Sequence, residues 1–143
     1  MSARYWIGVV SRSHVERGVE GGFAQLCHGK AATLRQMSVG DWLVYYSPKT
    51  DMADGAPLQA FTAIGQVVGE ETYEFAMSPD FVPFRRDIAY KTCKAAPIQP
   101  LLSQLSFIHD VKRWGYAFRA GRLEMTREDF ERIAQAMEVD IGE

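Results

Sequence analysis

The sequence predicts an α+β fold in which a curved or closed mixed sheet, mostly antiparallel, carries helices at its sides. Three observations lead there. Four apolar, β-rich runs (Tyr5–Val10, Trp42–Tyr46, Leu58–Val68 and Phe84–Cys93) are spaced along the chain, with two or three helical stretches between and after them. No repeat, low-complexity tract or long linker interrupts this order, so residues 1–143 read as a single domain. At 47% hydrophobic and 24% charged residues, the composition is that of a globular chain able to bury one core.

Tyr5–Val10 shows no clear alternation of apolar and polar residues, which suits a strand covered on both faces. Ser13 with Glu16 three residues later reads as a capping box, and Gly18, Gly21 and Gly22 predict a short helix after it. Ser11 then lies at a strand-to-helix turn, where unpaired N–H groups and a hydroxyl converge. Phe23–His28 reads as an irregular or strand-like approach to Gly29-Lys30, and Ala31–Met37 as a linker with Leu34 and Met37 facing inward. Gly40-Asp41 is a turn signal ahead of the central strand Trp42–Tyr46, which is expected to stop at Ser47-Pro48 because proline lacks an N–H for the ladder. Tyr45, Tyr46 and Ser47 would then sit at the strand's mouth.

Pro48–Pro57 reads as a polar loop, and Gly65 inside Leu58–Val68 as a bulge where a barrel bends. Thr72–Phe75 continues or pairs with that strand, and Ser78–Pro83 is a loop. From Ile88 the next strand alternates, with Ile88, Tyr90 and Thr92 on one face. Leu101, Leu102 and Leu105 suit one or two helical turns, and Trp114–Phe118 a short aromatic strand or turn. Thr126–Met137 is the clearest helix. Thr126 caps it, Met125 and Phe130 can form a hydrophobic staple, and Phe130, Ile133, Ala134 and Met137 make one apolar stripe.

Charge and cysteine content narrow the function classes. The net charge is −2, yet Phe81–Arg122 holds eight basic and two acidic residues while Leu123–Glu143 holds two basic and seven acidic ones. A local basic field can attract phosphates on a mildly acidic molecule. No apolar run is long enough to cross a bilayer, and the N-terminus does not resemble a signal peptide. Two cysteines, Cys27 and Cys93, are no disulfide framework, so a cytoplasmic location is expected.

No phosphate-cradling glycine motif is present. Cys27 and His28 with Cys93, His109 or His14 make a poor zinc set, so no metal and no cofactor are expected. Cys27 and His28, adjacent on an extended chain, point to opposite faces and are unsuited to act as nucleophile and base. His28 reads better as a hydrogen-bonding pocket residue, beside the alternative of a structural histidine. Neither paired carboxylates nor an activated nucleophile is evident, so no catalytic residue is assigned and the chain is expected not to be an enzyme. The seventeen aromatic residues are more informative. Trp6, Trp42, Tyr45, Phe61 and Phe107 are expected in the core. Others lie beside polar or basic groups: Phe23 near Gln25, Tyr46 by Ser47, Trp114 after Arg113. A planar base stacks on such faces for about 1–3 kcal/mol while polar groups read its edge. Arg85 and Arg86 suit phosphate contact, or one of them pairs with Asp87 or a C-terminal acid.

YWIGVVSRSHV, GFAQLCHGK, LRQMSVGDWLVYYSPK, FRRDIAYK, WGYAFRAG and TREDFERIAQAM, in this order and spacing, resemble an EVE domain over nearly the whole chain. That resemblance implies a PUA-like pseudo-barrel, related to the YTH domains that read methylated adenine in RNA. It implies a base-accommodating, partly aromatic pocket beside a basic surface, serving recognition of modified bases in DNA or RNA. Carried onto this sequence, the pocket takes Ser11, Phe23, Gln25, His28, Lys30, Tyr46, Ser47, Trp114 and Phe118. Phe23-Ala24 follows Gly22 where the YTH-type cage commonly has a tryptophan, and phenylalanine offers a smaller, less electron-rich face. Arg12, Lys49, Arg85 and Arg86 are the expected contacts to the nucleic-acid backbone. The expected partner is RNA or DNA, single-stranded or with a flipped base, together with a separate effector protein and no membrane. The alternative is a binder of a free nucleotide or another small planar metabolite.

Overall fold

The computed structural model describes residues 3–26, 31–51 and 55–141. In chain order the elements are β1 (Tyr5–Val9), α1 (Arg12–Gly21), β2 (Phe23–Ala24), α2 (Ala31–Arg35), β3 (Trp42–Lys49), β4 (Pro57–Val67), β5 (Tyr73–Glu74), β6 (Phe84–Tyr90) and β7 (Ala96–Pro97). Two 3-10 segments, Gln99–Leu101 and Val111–Phe118, the second kinked at Arg113, precede β8 (Arg122–Met125) and α3 (Arg127–Ala136). The strands form one mixed, curled sheet in the order β2-β6-β4-β3-β1-β8, with β5 pairing to β6 and β7 to β4. Only β1 and β3 run parallel among these pairs, Tyr5 opposite Trp42 and Val9 opposite Tyr46.

β3 is the hub because its side chains feed two cores. Trp42, Val44 and Tyr46 pack on one sheet face with Phe61, Ile64, Phe118 and the α3 residues Phe130 and Ile133. Leu43 and Tyr45 pack on the other with Trp6, Val15 of α1, Leu26, Leu34 of α2 and Val67. Alternation along a strand assigns successive residues to opposite faces, and burial of both makes the run uniformly apolar. The expected core aromatics Trp6, Trp42, Tyr45 and Phe61 are buried, and Phe107 packs partly buried against the first core.

Several local expectations are corrected. α1 begins at Arg12 with Ser11 as its N-cap, and no capping box forms; Glu16 instead pairs with Arg12 at 3.4 Å. The helix runs through Gly18, where a Cβ would meet the Phe23 carbonyl oxygen at 2.7 Å, and stops at Gly22, which adopts φ +75°. Ala31–Arg35 is helical rather than a linker, although Leu34 and Met37 do face inward. β3 passes through Pro48 to Lys49, because the register with β4 skips between Ser47 and Lys49 and proline's missing donor is not needed there. The bulge in β4 falls at Thr62, between the Tyr45–Ala63 and Tyr46–Phe61 pairs. Gly65 instead lets β6 approach: a Cβ there would lie 2.7 Å from Ile88 Cγ2. Tyr73–Glu74 pairs with β6 and not β4. α3 forms as read, with the Thr126 hydroxyl accepting the Asp129 N–H at 3.2 Å.

Candidate nucleic-acid interface

After the turn at Gly22 the chain lays Phe23 and Ala24 along β6, opposite Asp87 and Arg86. Three groups hold this short segment. The Tyr90 hydroxyl donates to the Phe23 carbonyl at 2.8 Å, and His14 Nε2–H donates to the Gln25 carbonyl at 3.1 Å. The Tyr45 hydroxyl reaches Tyr90 and the Gln25 backbone from below. Burial pushes the His14 imidazole below its ordinary value of about 6.5, with the charges of Arg17 and Arg85 adding in the same direction, so it is neutral at pH 7.

Across from β2, the hairpin of β5 and β6 places Tyr73 opposite Arg85 and continues with Phe75 N–H to the Pro83 carbonyl and Met77 N–H to the Phe81 carbonyl. Arg85 leaves β6 between the two arms. Its guanidinium carbon lies 3.8 Å from the centroid of Phe23 and 3.9 Å from that of Phe75. Its Nε donates to Gln25 Oε1 at 3.0 Å, while Gln25 Nε2 points to Met77 Sδ at 3.8 Å. The two terminal nitrogens of Arg85 have no hydrogen-bond partner among the described residues. This is a slot one planar group thick, with aromatic faces on both sides, an amide at one edge and two parallel N–H donors at the other. Such an edge suits bidentate acceptors such as a phosphate, a carboxylate or the Hoogsteen edge of guanine. Phe75 is 47% and Met77 46% exposed, so the slot opens to solvent along the hairpin.

The sequence-predicted site residues divide between the two sheet faces. Phe23, Gln25 and Arg85 come together with His14, Phe75 and Met77. Tyr46, Trp114 and Phe118 pack on the opposite face against one another. Tyr46 stacks on Phe118 at 4.2 Å with Trp114 edge-on at 6.2 Å, and is only 2% exposed. Burial pushes the Tyr46 hydroxyl up to about 12. Ser47 is fully buried, its hydroxyl 2.8 Å from that of Thr62. Ser11 lies at the start of α1, 3.4 Å from the Ser13 hydroxyl. Among the expected backbone contacts, Lys49 is exposed at the end of β3 and Arg12 is shared with Glu16. Arg86 is enclosed, donating to the carbonyls of Gly69, Leu34 and Met37. His28 and Lys30 lie outside the described residues.

His14, Phe75 and Met77 were absent from the predicted site. The available signal was the alternation Tyr73, Phe75, Met77, which runs past the Thr72–Phe75 strand expected there and places three apolar groups on one side of a ribbon. Two clefts lie elsewhere. One of about 670 Å³ has Arg86 in its wall and Glu70 and Glu71 at its rim, and the carbonyls already occupy that guanidinium. The other, about 410 Å³, runs between α1 and the β4 bulge past Arg12, Thr62, Lys91 and Cys93. Among the described residues no three of His, Cys, Asp and Glu are grouped to hold a metal ion, and no helix is long and apolar enough to cross a membrane.

Comparison with known proteins places this geometry in a family. The family described as EVE domain matches residues 4–136. A UPF0310 protein of Mycolicibacterium vanbaalenii is 55% identical over 132 residues, covering 92% of this chain and 91% of its own. The UPF0310 protein YdcG of Bacillus subtilis is 49% identical over 142 residues, covering 99% and 97%. Among solved structures, the YTH domain of Zygosaccharomyces rouxii MRB1 in complex with N6-methyladenosine RNA superposes with a TM-score of 0.66 at 11% identity, covering 99% of this chain and 88% of that one. Protein Atu2648 of Agrobacterium tumefaciens gives 0.61 at 12% identity, covering 98% and 97%. The fold is thus that of YTH domains, and by the family match and these relatives the chain belongs to the EVE domain family.

Proposed function

We propose that this protein is a non-catalytic nucleic-acid-binding module that takes one nucleobase, modified bases included, from a single strand or flipped from a duplex. The observation that carries this reading is the guanidinium of Arg85 held between Phe23 and Phe75, because faces spaced for one planar group accept a heterocycle equally well. The base enters where the guanidinium now lies, and Gln25 reads its edge with one donor and one acceptor. Arg85 swings outward onto a neighbouring phosphate, joined by Lys49 and Arg12. His28 and Lys30, which follow Gln25 and Leu26 in the chain, are proposed as further contacts to the ligand. Tyr46, Trp114 and Phe118 support from behind the sheet, Ser47 braces the β4 bulge through Thr62, and Ser11 starts the helix that holds Gln25 through His14. An RNA-bound YTH domain with this fold supports the choice of a nucleic-acid ligand over a free metabolite. A separate effector protein would act on the bound state.

Titration of labelled single-stranded RNA and DNA at low salt tests the reading. Binding that weakens with added salt is expected, with Phe23→Ala costing about tenfold or more in affinity, the lower part of the range for one lost stacking face. Failure of the unmodified protein to bind any oligonucleotide at low salt would overturn it.

A further inference from the structure

The 3-10 segment Val111–Phe118, with Arg119 after it, forms a surface knob that the slot does not use. Tyr116 on this knob is 65% exposed. The Arg119 guanidinium carbon covers one side of its ring, 3.9 Å from the centroid, and solvent has access to the rest. Lys112, Arg113 and Arg119 are all exposed, and among the described residues none has a carboxylate within ion-pair distance. Arg4, Arg12, Lys94, Arg127 and Arg132, by contrast, each have an acidic partner. The one acid in the segment's approach, Asp110, is engaged by the Lys112 backbone N–H at 3.0 Å as the cap of the turn.

The knob is held in place from beneath. Trp114 and Phe118 point the other way, against Tyr46, so the outward groups are displayed on a packed base and lose little freedom on binding. Its position is also defined. Val9 N–H donates to the Gly121 carbonyl at 2.9 Å, and Val10 N–H to the Tyr46 carbonyl at 3.1 Å, which sets the knob at the C-terminal end of β1 and β3. α1 starts at that same end, with Arg12 in its first turn, and through His14 it holds Gln25 at the slot. Lys49 closes β3 there, next to Thr50, whose carbonyl takes the Ser13 N–H at 2.9 Å.

We infer that this knob is a second nucleic-acid contact, at which a nucleotide farther along the strand from the held base stacks on Tyr116 while Lys112, Arg113 and Arg119 meet the phosphates. The strand runs from the slot past the start of α1 to the knob. An exposed ring backed by arginine and ringed by unpaired cations suits a polyanion with planar groups, whereas an apolar protein partner would leave those cations unmatched. The inference rests on the proposed function and extends its footprint beyond one base.

The test compares a single-stranded oligonucleotide of about ten residues with a mononucleotide, on the unmodified protein, Tyr116→Ala, and the triple variant Lys112→Gln/Arg113→Gln/Arg119→Gln. Tyr116→Ala is expected to weaken the oligonucleotide about tenfold and leave the mononucleotide unchanged. The triple variant is expected to lower the slope of log affinity against log salt by about two to three. Equal oligonucleotide affinity for Tyr116→Ala and the unmodified protein overturns the inference while leaving the slot reading intact, and so does an equal loss for both ligands. If the unmodified protein binds neither, both fall together.

Discussion

On β6 the side chains of Arg85 and Arg86 leave opposite faces of the strand, and their nitrogens meet different surroundings. Arg86 is buried, and burial lowers its pKa; its donors satisfy the Leu34 and Met37 carbonyls at the end of α2 and the Gly69 carbonyl after β4. It joins two segments by hydrogen bonds, with Nε and Nη1 taken by carbonyls and Nη2 3.5 Å from the Glu70 carbonyl, so the guanidinium is committed to the fold. Arg85 spends one donor on Gln25 and rests its plane between two rings. Stacking of guanidinium on aromatic faces is worth about 0.5–2 kcal/mol, comparable to what a base gains there, so exchange of one for the other carries a small net cost. Arg85→Ala should therefore tighten binding of a free nucleoside by about twofold or more, because the base no longer has to displace the guanidinium. The same variant should weaken an oligonucleotide and lower its salt slope by about one, the share of a single phosphate contact. Calorimetric titration of both ligands checks this. A nucleoside that no longer binds the variant would mean that Arg85 grips the base itself and does not give way to it.

At the scale of elements, α3 shows how local signals determine structure when they agree. Thr126 accepts the Asp129 N–H, Glu128 and Asp129 lie in the positive first turn, and Phe130, Ile133 and Ala134 are buried on one face. Thr126→Ala should cost about 1 kcal/mol, seen as a fall of roughly 3 °C in melting temperature, and a melting curve unmoved within error would remove the cap from the account. That helix and the four main strands were legible in the sequence because length and periodicity both marked them. β8 was not, since Arg122-Leu123-Glu124-Met125 offers four residues and its strand character comes from pairing with β1. α1 was read too short because Gly18 looks like a stop, yet it is there to let the Phe23 carbonyl come close. The candidate site was half legible. Phe23, Gln25 and Arg85 were named from residue type, but Tyr46, Trp114 and Phe118 were joined to them as though one strand mouth had one face. Tyr45 is the neighbour that faces toward Gln25, and only the register of β3 between its two cores reveals it.

For the molecule as a whole, β3 divides the interior, and Tyr45 and Tyr46 put one phenol into each half. Burial pushes each hydroxyl up to about 12, and Tyr90, which Tyr45 touches, is raised as well. In the unfolded chain these groups ionise near pH 10. A raised folded-state pKa means that the native protein keeps protons the unfolded chain releases. This contribution is therefore complete below about pH 10 and is lost as pH climbs through about 12, at up to about 1.4 kcal/mol per pH unit for each tyrosine. The protein should thus unfold more readily between about pH 10 and 12, with tyrosinate absorbance rising together with the loss of helix signal. Tyr46→Phe separates this from general alkaline damage. Its hydroxyl has no hydrogen-bond partner among the described residues and its ring stays on Phe118. The variant should match the parent within about 0.5 kcal/mol at neutral pH and lose less stability on the alkaline side. A parent and variant with the same alkaline slope, or a Tyr46 that titrates at the ordinary value before unfolding, would mean that this ring meets solvent. It would then belong at the mouth of a pocket and not inside the packing that separates the knob from the slot.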